Sequence, residues 1–189
     1  MGISKLAVVG ATGNVGREML NILSERNFPC DEVIALASER SEGDAVPFGN
    51  KEIIVQSLSN YDFSETSIAL FSAGGKISEV YAPIAAEQGC IVIDNSSKFR
   101  MDNDVPLIVP EVNIEMLEHY RTTNIVANPN CSTIQMVVAL KPLEDLASIN
   151  RINVSTYQST SGAGKVAMEE LFNQTKGIFS NQPVEPESF

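Results

Sequence analysis

Short apolar runs alternate with helix-period stretches along this chain, and few folds accept that order. KLAVVG (5–10) is a buried-strand signal that ends in glycine; Val15, Met19, Ile22 and Leu23 then share one face of a helix over 14–26. EVIALAS (32–38), EIIVQSL (52–58), SIALFSA (67–73) and CIVIDNSS (90–97) predict further strands, with a helix through 77–88. LIVPEV (107–112) and NIVANPN (124–130) read as shorter extended pieces. Strands that alternate with helices build an α/β fold, here a Rossmann-like, doubly wound and mostly parallel sheet. In such sheets ligands sit beyond the carboxyl ends of the strands. Those ends read GATG, ASERS, FSAGG, DNSS and NPNC, each small, polar or reactive.

The pattern changes after NPNC. A helix is expected to start near Cys131. INRINVSTYQST (149–160) then predicts a long strand, SGAGKVAMEELF (161–172) a glycine turn into a helix, and KGIFSNQPVEPESF (176–189) a loop. The chain therefore divides into a first domain, 1–130, and a second unit, 131–189, that the sequence does not close.

Gly10, Gly13 and Gly16 form GxxGxxG between the first strand and the first helix. Glycines there allow a tight turn, close approach of a pyrophosphate and close helix–strand packing, with the helix N-terminus facing the anion. A purely structural turn is the other reading. At the end of the second strand, Arg40 flanked by Ser38 and Ser41 suits a ribose 2′-phosphate and favours NADP. Glu39 keeps NAD open, and Arg40 also fits a solvated loop.

The net charge of −11 argues against nucleic acid or an anionic membrane as partner, so an anionic substrate needs a local basic cluster. SSKFR (96–100) is such a cluster. Arg100 offers a planar fork to phosphate or carboxylate, or else a surface charge paired with Asp102 or Asp104. SGAGK (161–165) fails as a P-loop: Ser159 stands where glycine is needed, and Val166 where a hydroxyl would hold magnesium. Three cysteines at irregular spacing and a single histidine disfavour a disulfide framework and a metal site, and fit a reducing cytoplasm. No apolar stretch reaches the ~18 residues that span a bilayer, and MGISKLAVVGATG lacks the layout of a signal peptide.

Cys131 reads two ways. At a helix start, free N–H groups and the positive end of the dipole stabilise a thiolate nucleophile. Free cysteine is also a common buried hydrophobe, the reading that fits Cys30 and Cys90. The polar neighbours Asn128, Asn130 and Ser132 set Cys131 apart. His119, in MLEHYR, reads as a solvated charge near a helix end.

Taken in order, GATGNVG, ASERS, FSAGG, DNSSKFR, VPEVN, NPNCSTIQ and STYQSTSGAG resemble aspartate-semialdehyde dehydrogenase across nearly the whole chain. That resemblance implies NADPH-dependent reduction of β-aspartyl phosphate to aspartate semialdehyde and phosphate, on the route to lysine, methionine and threonine. It implies Cys131 as the nucleophile that forms a thioester, Gln158 as the group that orients the substrate, and Arg100 with Asn130 as phosphate binders. It assigns Gly10, Thr12, Gly13, Asn14, Val15 and Gly16 to the pyrophosphate, and Ser38, Arg40 and Ser41 to the 2′-phosphate. Ser72, Ala73 and Gly74 also go to the cofactor, and Ser161 and Gly162 to its nicotinamide side. A homodimer or homotetramer is implied, with no metal, and 1–130 becomes the NADP-binding domain and 131–189 an incomplete catalytic and dimerisation domain of α+β type. N-acetyl-γ-glutamyl-phosphate reductase shares the chemistry, but ASERS and YQSTSGAG favour the aspartyl enzyme. A non-catalytic dinucleotide-binding module is the alternative of another class. Family members are longer, with their catalytic histidine and substrate-carboxylate arginine past position 189. The chain is thus expected to be an N-terminal piece that binds NADP without turning over, its last strand and helix leaving an apolar face open.

Overall fold

The computed structural model describes residues 2–182 and 184–187. The chain forms two compact units, Met1–Ile149 and Asn150–Phe189.

The first unit is built on a seven-stranded sheet. Its elements in chain order are β1 (Ile3–Val9), α1 (Asn14–Glu25), β2 (Cys30–Ala37), β3 (Ala45–Phe48), β4 (Lys51–Ser57), β5 (Ile68–Phe71), α2 (Gly75–Glu87), β6 (Ile91–Asp94), α3 (Pro110–Asn113), β7 (Ile125–Ala127) and α4 (Cys131–Leu146). The strand order is β3-β4-β2-β1-β5-β6-β7. Every pairing is parallel except β3 with β4. The sheet is the mostly parallel, doubly wound one expected from the sequence.

Because side chains alternate across a strand, β1 serves two cores. Leu6 and Val8 join Leu20 and Leu23 of α1 on one face, whereas Ala7 and Val9 join Phe71 and Ala82 and Ala85 of α2 on the other. Strands buried on both faces read as continuous apolar runs, which is why KLAVVG and SIALFSA were legible.

The local differences have physical causes. The buried side of α1 is Gly16, Leu20 and Leu23, while Val15 and Ile22 are exposed. The close approach of Gly16 to the first loop turns the helix off the face predicted from its apolar residues. Strand β3 has only the alternating pattern of an edge, where Pro47 is tolerated, and it went unseen. In LIVPEV only Leu107 bridges to Ala127, and Pro110, suited to a first helical turn, starts α3. The predicted strand over 149–160 is not formed: 149–159 are irregular. Extended backbone needs a neighbouring strand to satisfy its N–H and C=O groups, and no strand among the described residues pairs with this segment.

In the second unit a 3-10 turn (Thr160–Ala163) leads into α5 (Lys165–Phe179), so the first part of the predicted terminal loop is helical. The rest of that loop is irregular where described; Pro183, Ser188 and Phe189 lie outside the described residues. Val166, Phe172, Ile178 and Phe179 of α5 are exposed.

Two of the glycines answer to the fold itself. Gly10 has φ +87°, and a Cβ there would come within 2.9 Å of the Ser72 carbonyl carbon. A Cβ on Gly16 would overlap the Gly10 carbonyl oxygen and come within 2.9 Å of the Ala11 Cα. A Cβ on Gly13 meets the Gly10 oxygen at 3.4 Å, an ordinary contact, in extended backbone (φ −79°, ψ 167°). Gly16→Ala is expected to destabilise the chain by about 3 kcal/mol or more, as overpacking against rigid backbone does. Gly13→Ala should cost no more than about 1 kcal/mol, the loss of a modest N-cap preference. Urea unfolding of the two variants tests this; equal losses would refute it. Burial pushes the Cys90 thiol from 9.0 up to about 12. The folded chain thus holds that proton where the unfolded chain releases it, and stability should fall as pH rises from about 9 to about 12. Cys90→Ala is expected to flatten that part of the profile in pH-dependent denaturation.

Candidate active site at the carboxyl edge of the sheet

The strand order reverses at β1, which pairs β2 on one side and β5 on the other. The loops after β1 and β5 are tied together at this switch point. Ser72 donates its N–H (2.8 Å) and its hydroxyl (3.2 Å) to the Val9 carbonyl. The Gly10 N–H donates to the Leu36 carbonyl of β2 at 2.8 Å, joining the third strand end. Helices α1 and α2 both start here. Gly13 and Gly74 stand at their N-caps without a capping side chain, and neither first turn carries an acid. Two helix starts with uncapped amides and no competing carboxylate suit a diphosphate. Gly13, which packing does not require to be glycine, leaves bare backbone facing that space. The residues present therefore fit a dinucleotide. Thr12 is half-buried, Asn14 and Val15 are exposed, and Ser72 and Ala73 are half-buried beside the loop.

Beyond β2 the chain makes a 3-10 turn, Glu39–Ser41, with Ser38 at its N-cap. Ser38 and Arg40 are exposed and Ser41 is half-buried. The Glu39 carboxylate accepts a hydrogen bond from the Ser59 hydroxyl at 2.7 Å. No ion pair among the described residues engages Arg40. The acid that would hold a ribose 2′-OH is drawn toward Ser59, and the cation that suits a 2′-phosphate is left open.

Asp94, at the end of β6, is fully buried, and among the described residues no cation pairs with it. Instead, Ser78 donates to Oδ1 (2.6 Å), and Ser96 donates its N–H to Oδ1 (3.2 Å) and its hydroxyl to Oδ2 (2.6 Å). This carboxylate ties α2 to the loop that carries SSKFR, and the sequence reading missed it. Its only signal was an acid inside an otherwise apolar strand, followed by serines. From the same loop Arg100 reaches back. Its Nε donates to the Asn128 carbonyl (2.9 Å) and Nη2 to the Asn95 carbonyl (3.0 Å). Neither Asp102 nor Asp104 pairs with it. A guanidinium held by neutral carbonyls keeps its whole charge for an anion.

The Asn128 N–H donates to the Asp94 carbonyl at 2.8 Å and carries the chain from β7 into α4. Asn130 caps that helix, its Oδ1 accepting from the Ser132 N–H at 3.0 Å. Cys131 is the first residue of α4 and is exposed. The three thiols are thus distinct. Cys90 is buried, and its proton is held more tightly by desolvation. Cys30 is half-buried, with its thiol raised by burial and then by Asp31; only Cys131 is open to solvent. The buried-seal reading fits Cys90 and fails for Cys131.

Gln158, Ser161 and Gly162 belong to the second unit. There the Gln158 side chain lies against Gly162, where a Cβ would come within 2.8 Å of its Cδ, and the Ser159 and Ser161 hydroxyls are 3.0 Å apart. His119 sits in the last turn of a 3-10 helix, Ile114–Thr122. Among the described residues, no helix is long and apolar enough to cross a membrane.

Comparison with known proteins bears on this edge. Residues 5–120 match the family described as semialdehyde dehydrogenase, NAD binding domain, and residues 140–189 match semialdehyde dehydrogenase, dimerisation domain. Aspartate-semialdehyde dehydrogenase 2 of Vibrio cholerae is 56% identical over 184 residues, 97% of this chain and 55% of that protein. The aspartate-semialdehyde dehydrogenase of Aquifex aeolicus is 58% identical over 173 residues, 91% of this chain and 51% of that one. Among solved structures, aspartate semialdehyde dehydrogenase II of Vibrio cholerae, complexed with ASA, superposes with TM-score 0.94 at 54% identity. It is covered over 100% of this chain and 56% of its own. The Candida albicans enzyme with NADP gives TM-score 0.68 at 26% identity, over 78% of this chain and 48% of its own. This chain spans about half the length of the curated relatives it matches. With a nicotinamide-dinucleotide fold in its first unit and relatives that are aspartate-semialdehyde dehydrogenases, the chain belongs to the semialdehyde dehydrogenase family.

Proposed function

We propose that this chain is the cofactor-binding and nucleophile-bearing part of an NADP-dependent aspartate-semialdehyde dehydrogenase, one that converts L-aspartyl-4-phosphate to L-aspartate 4-semialdehyde and phosphate in lysine, methionine and threonine biosynthesis. The observation that carries this reading is the exposed Cys131 at the start of α4, in a loop held by an arginine that makes no ion pair among the described residues.

The Cys131 thiolate attacks the acyl-phosphate carbon. A C–S bond forms, the C–O bond to phosphate breaks, and phosphate leaves with the electron pair, stabilised by Arg100 with Asn130. The glycine loop would hold a nicotinamide dinucleotide, which would supply the hydride that reduces the thioester. The tetrahedral oxyanion faces the amides of the α4 start, and its collapse re-forms a carbonyl and breaks the C–S bond to release the aldehyde. Gln158 orients the acyl group, and Ser161 and Gly162 line the nicotinamide side, as their YQSTSGAG context implies.

Gly10, Thr12, Gly13, Asn14, Val15 and Gly16, with Ser72, Ala73 and Gly74, hold the pyrophosphate side of NADP. Ser38, Arg40 and Ser41 hold its 2′-phosphate; the Glu39–Ser59 hydrogen bond supports NADP over NAD. The functional boundary lies at Asn130 and Cys131, with 1–130 serving the cofactor and 131–189 catalysis and assembly. The match of 140–189 to a dimerisation domain supports a homodimer; a homotetramer is the higher state consistent with the same reading. The unpaired cysteines suit a cytoplasmic setting. Among the described residues the Cys131 thiol meets no base, and the chain's one histidine stands on a separate element.

Incubation with an acyl-phosphate analogue of the substrate should add one acyl group, and intact and peptide mass spectrometry should place it on Cys131. A folded, NADP-binding chain that stays unlabelled there would sink the reading. Arg40→Ala should weaken NADP binding on the order of tenfold, about 1.4 kcal/mol, and leave NAD binding unchanged. Gly13→Ala should weaken both dinucleotides. Calorimetric titration measures each, and equal losses of NADP and NAD in Arg40→Ala would count against the 2′-phosphate role.

A further inference from the structure

We infer that Asn95 and Asn128 are positioning residues whose mutual hydrogen bond sets the Arg100 guanidinium for its anion; this rests on the reading of Arg100 as the phosphate binder. The parallel ladder of β6 and β7 ends with Asp94 paired to Ala127, and one further rung, from the Asn128 N–H to the Asp94 carbonyl, carries it past the strands. Beyond that rung the two chains separate into the DNSSKFR loop and the NPNC loop. Two side-chain devices hold them there. The Asn128 Nδ2 donates to Asn95 Oδ1 at 2.6 Å, and the Arg100 fork spans the carbonyls of the same two residues.

The three residues form a closed frame. Arg100 grips only backbone oxygens, so its aim depends on how far apart the Asn95 and Asn128 carbonyls stand. The amide–amide bond between the two side chains sets that spacing. Both asparagines are half-buried, where a hydrogen bond holds geometry better than it does in open water. Among the described residues, Arg100 Nη1 has no protein partner and no carboxylate faces the fork. The frame therefore fixes a cation in direction without neutralising it. On its other side it fixes Asn128, from which the chain runs through Pro129 and Asn130 to Cys131. One brace thus serves both the anion and the nucleophile loop.

The test uses the whole chain, with inorganic phosphate as the probe and alkylation of Cys131 by iodoacetamide as the readout. Phosphate should slow alkylation of the wild-type chain, and Arg100→Ala should abolish that protection. Asn95→Leu, similar in size but without the acceptor, should raise the half-protecting phosphate concentration about tenfold. Asn128→Leu should do the same. Asn95→Gln keeps a neutral amide acceptor for Asn128 Nδ2 and should protect clearly better than Asn95→Leu. NADP affinity should be unchanged in every variant, which serves as the control for folding. A role confined to stability would lower the unfolding midpoint and leave the phosphate concentration where it was; that result overturns the inference. So does an Asn95→Gln variant as weak as Asn95→Leu. If phosphate fails to protect the wild-type chain, the phosphate role of Arg100 falls, and the inference with it. If only the asparagine variants behave as wild type, the inference alone falls. The Asn95 pair carries the test if Asn128→Leu does not fold.

Discussion

Helix α1 comes so close to the end of β1 that the Gly10 carbonyl occupies the space of a Gly16 side chain. That contact sets the pitch at which the first helix leaves the sheet, and much of the carboxyl edge follows from it. Leu20 and Leu23 turn onto the sheet, and Val15 and Ile22 turn away from it. The Gly10 loop is pressed against Ser72 and Ala73, which brings the starts of α1 and α2 to the same switch point. Two positive helix ends then border one crevice, a geometry that suits a diphosphate before any side chain is considered.

The chain as a whole carries a net charge of −11, so any anion approaches it against its own field. The structure meets this with partial charges and with cations kept clear of acids. Uncapped amides stand at the starts of α1 and α2 by the switch point. Arg40 is left open while Glu39 is engaged by Ser59, and Arg100 is held by carbonyls rather than by Asp102 or Asp104. The buried Asp94 is satisfied by serine donors, so it withdraws no cation from the site. Sorting charges by their neighbours, more than their number, makes an acidic protein hospitable to phosphate.

The legible parts of the fold were those whose signal is local. Parallel strands buried on both faces are apolar throughout, so β1, β2, β5 and β6 stood out. Edge strand β3 carries half that signal, and its proline reads as a break. The segment 149–159 shows the reverse case. Its β-branched residues spell a strand, but a strand exists only with a partner, and its residues remain irregular. At the site, GATG and NPNC could be read because turns and caps depend on a few adjacent residues. The Arg100 frame could not, because it joins residues far apart in the chain through backbone carbonyls that are the same in every residue.

The sequence by itself determined the strand–helix alternation of the first unit, the glycine turn after β1, the polar setting of Cys131 and the family resemblance. Each of these depends on residue type and short spacing. Only the tertiary structure decided which face of α1 is buried, which acid is engaged by which hydroxyl, and which of three cysteines meets solvent. Those outcomes depend on distances between segments remote in the chain, and burial and electrostatic pairing exist only once the sheet has brought the segments together. For Cys131 the two sources meet: its neighbours in the chain made a nucleophile plausible, and packing left it open while closing over Cys90.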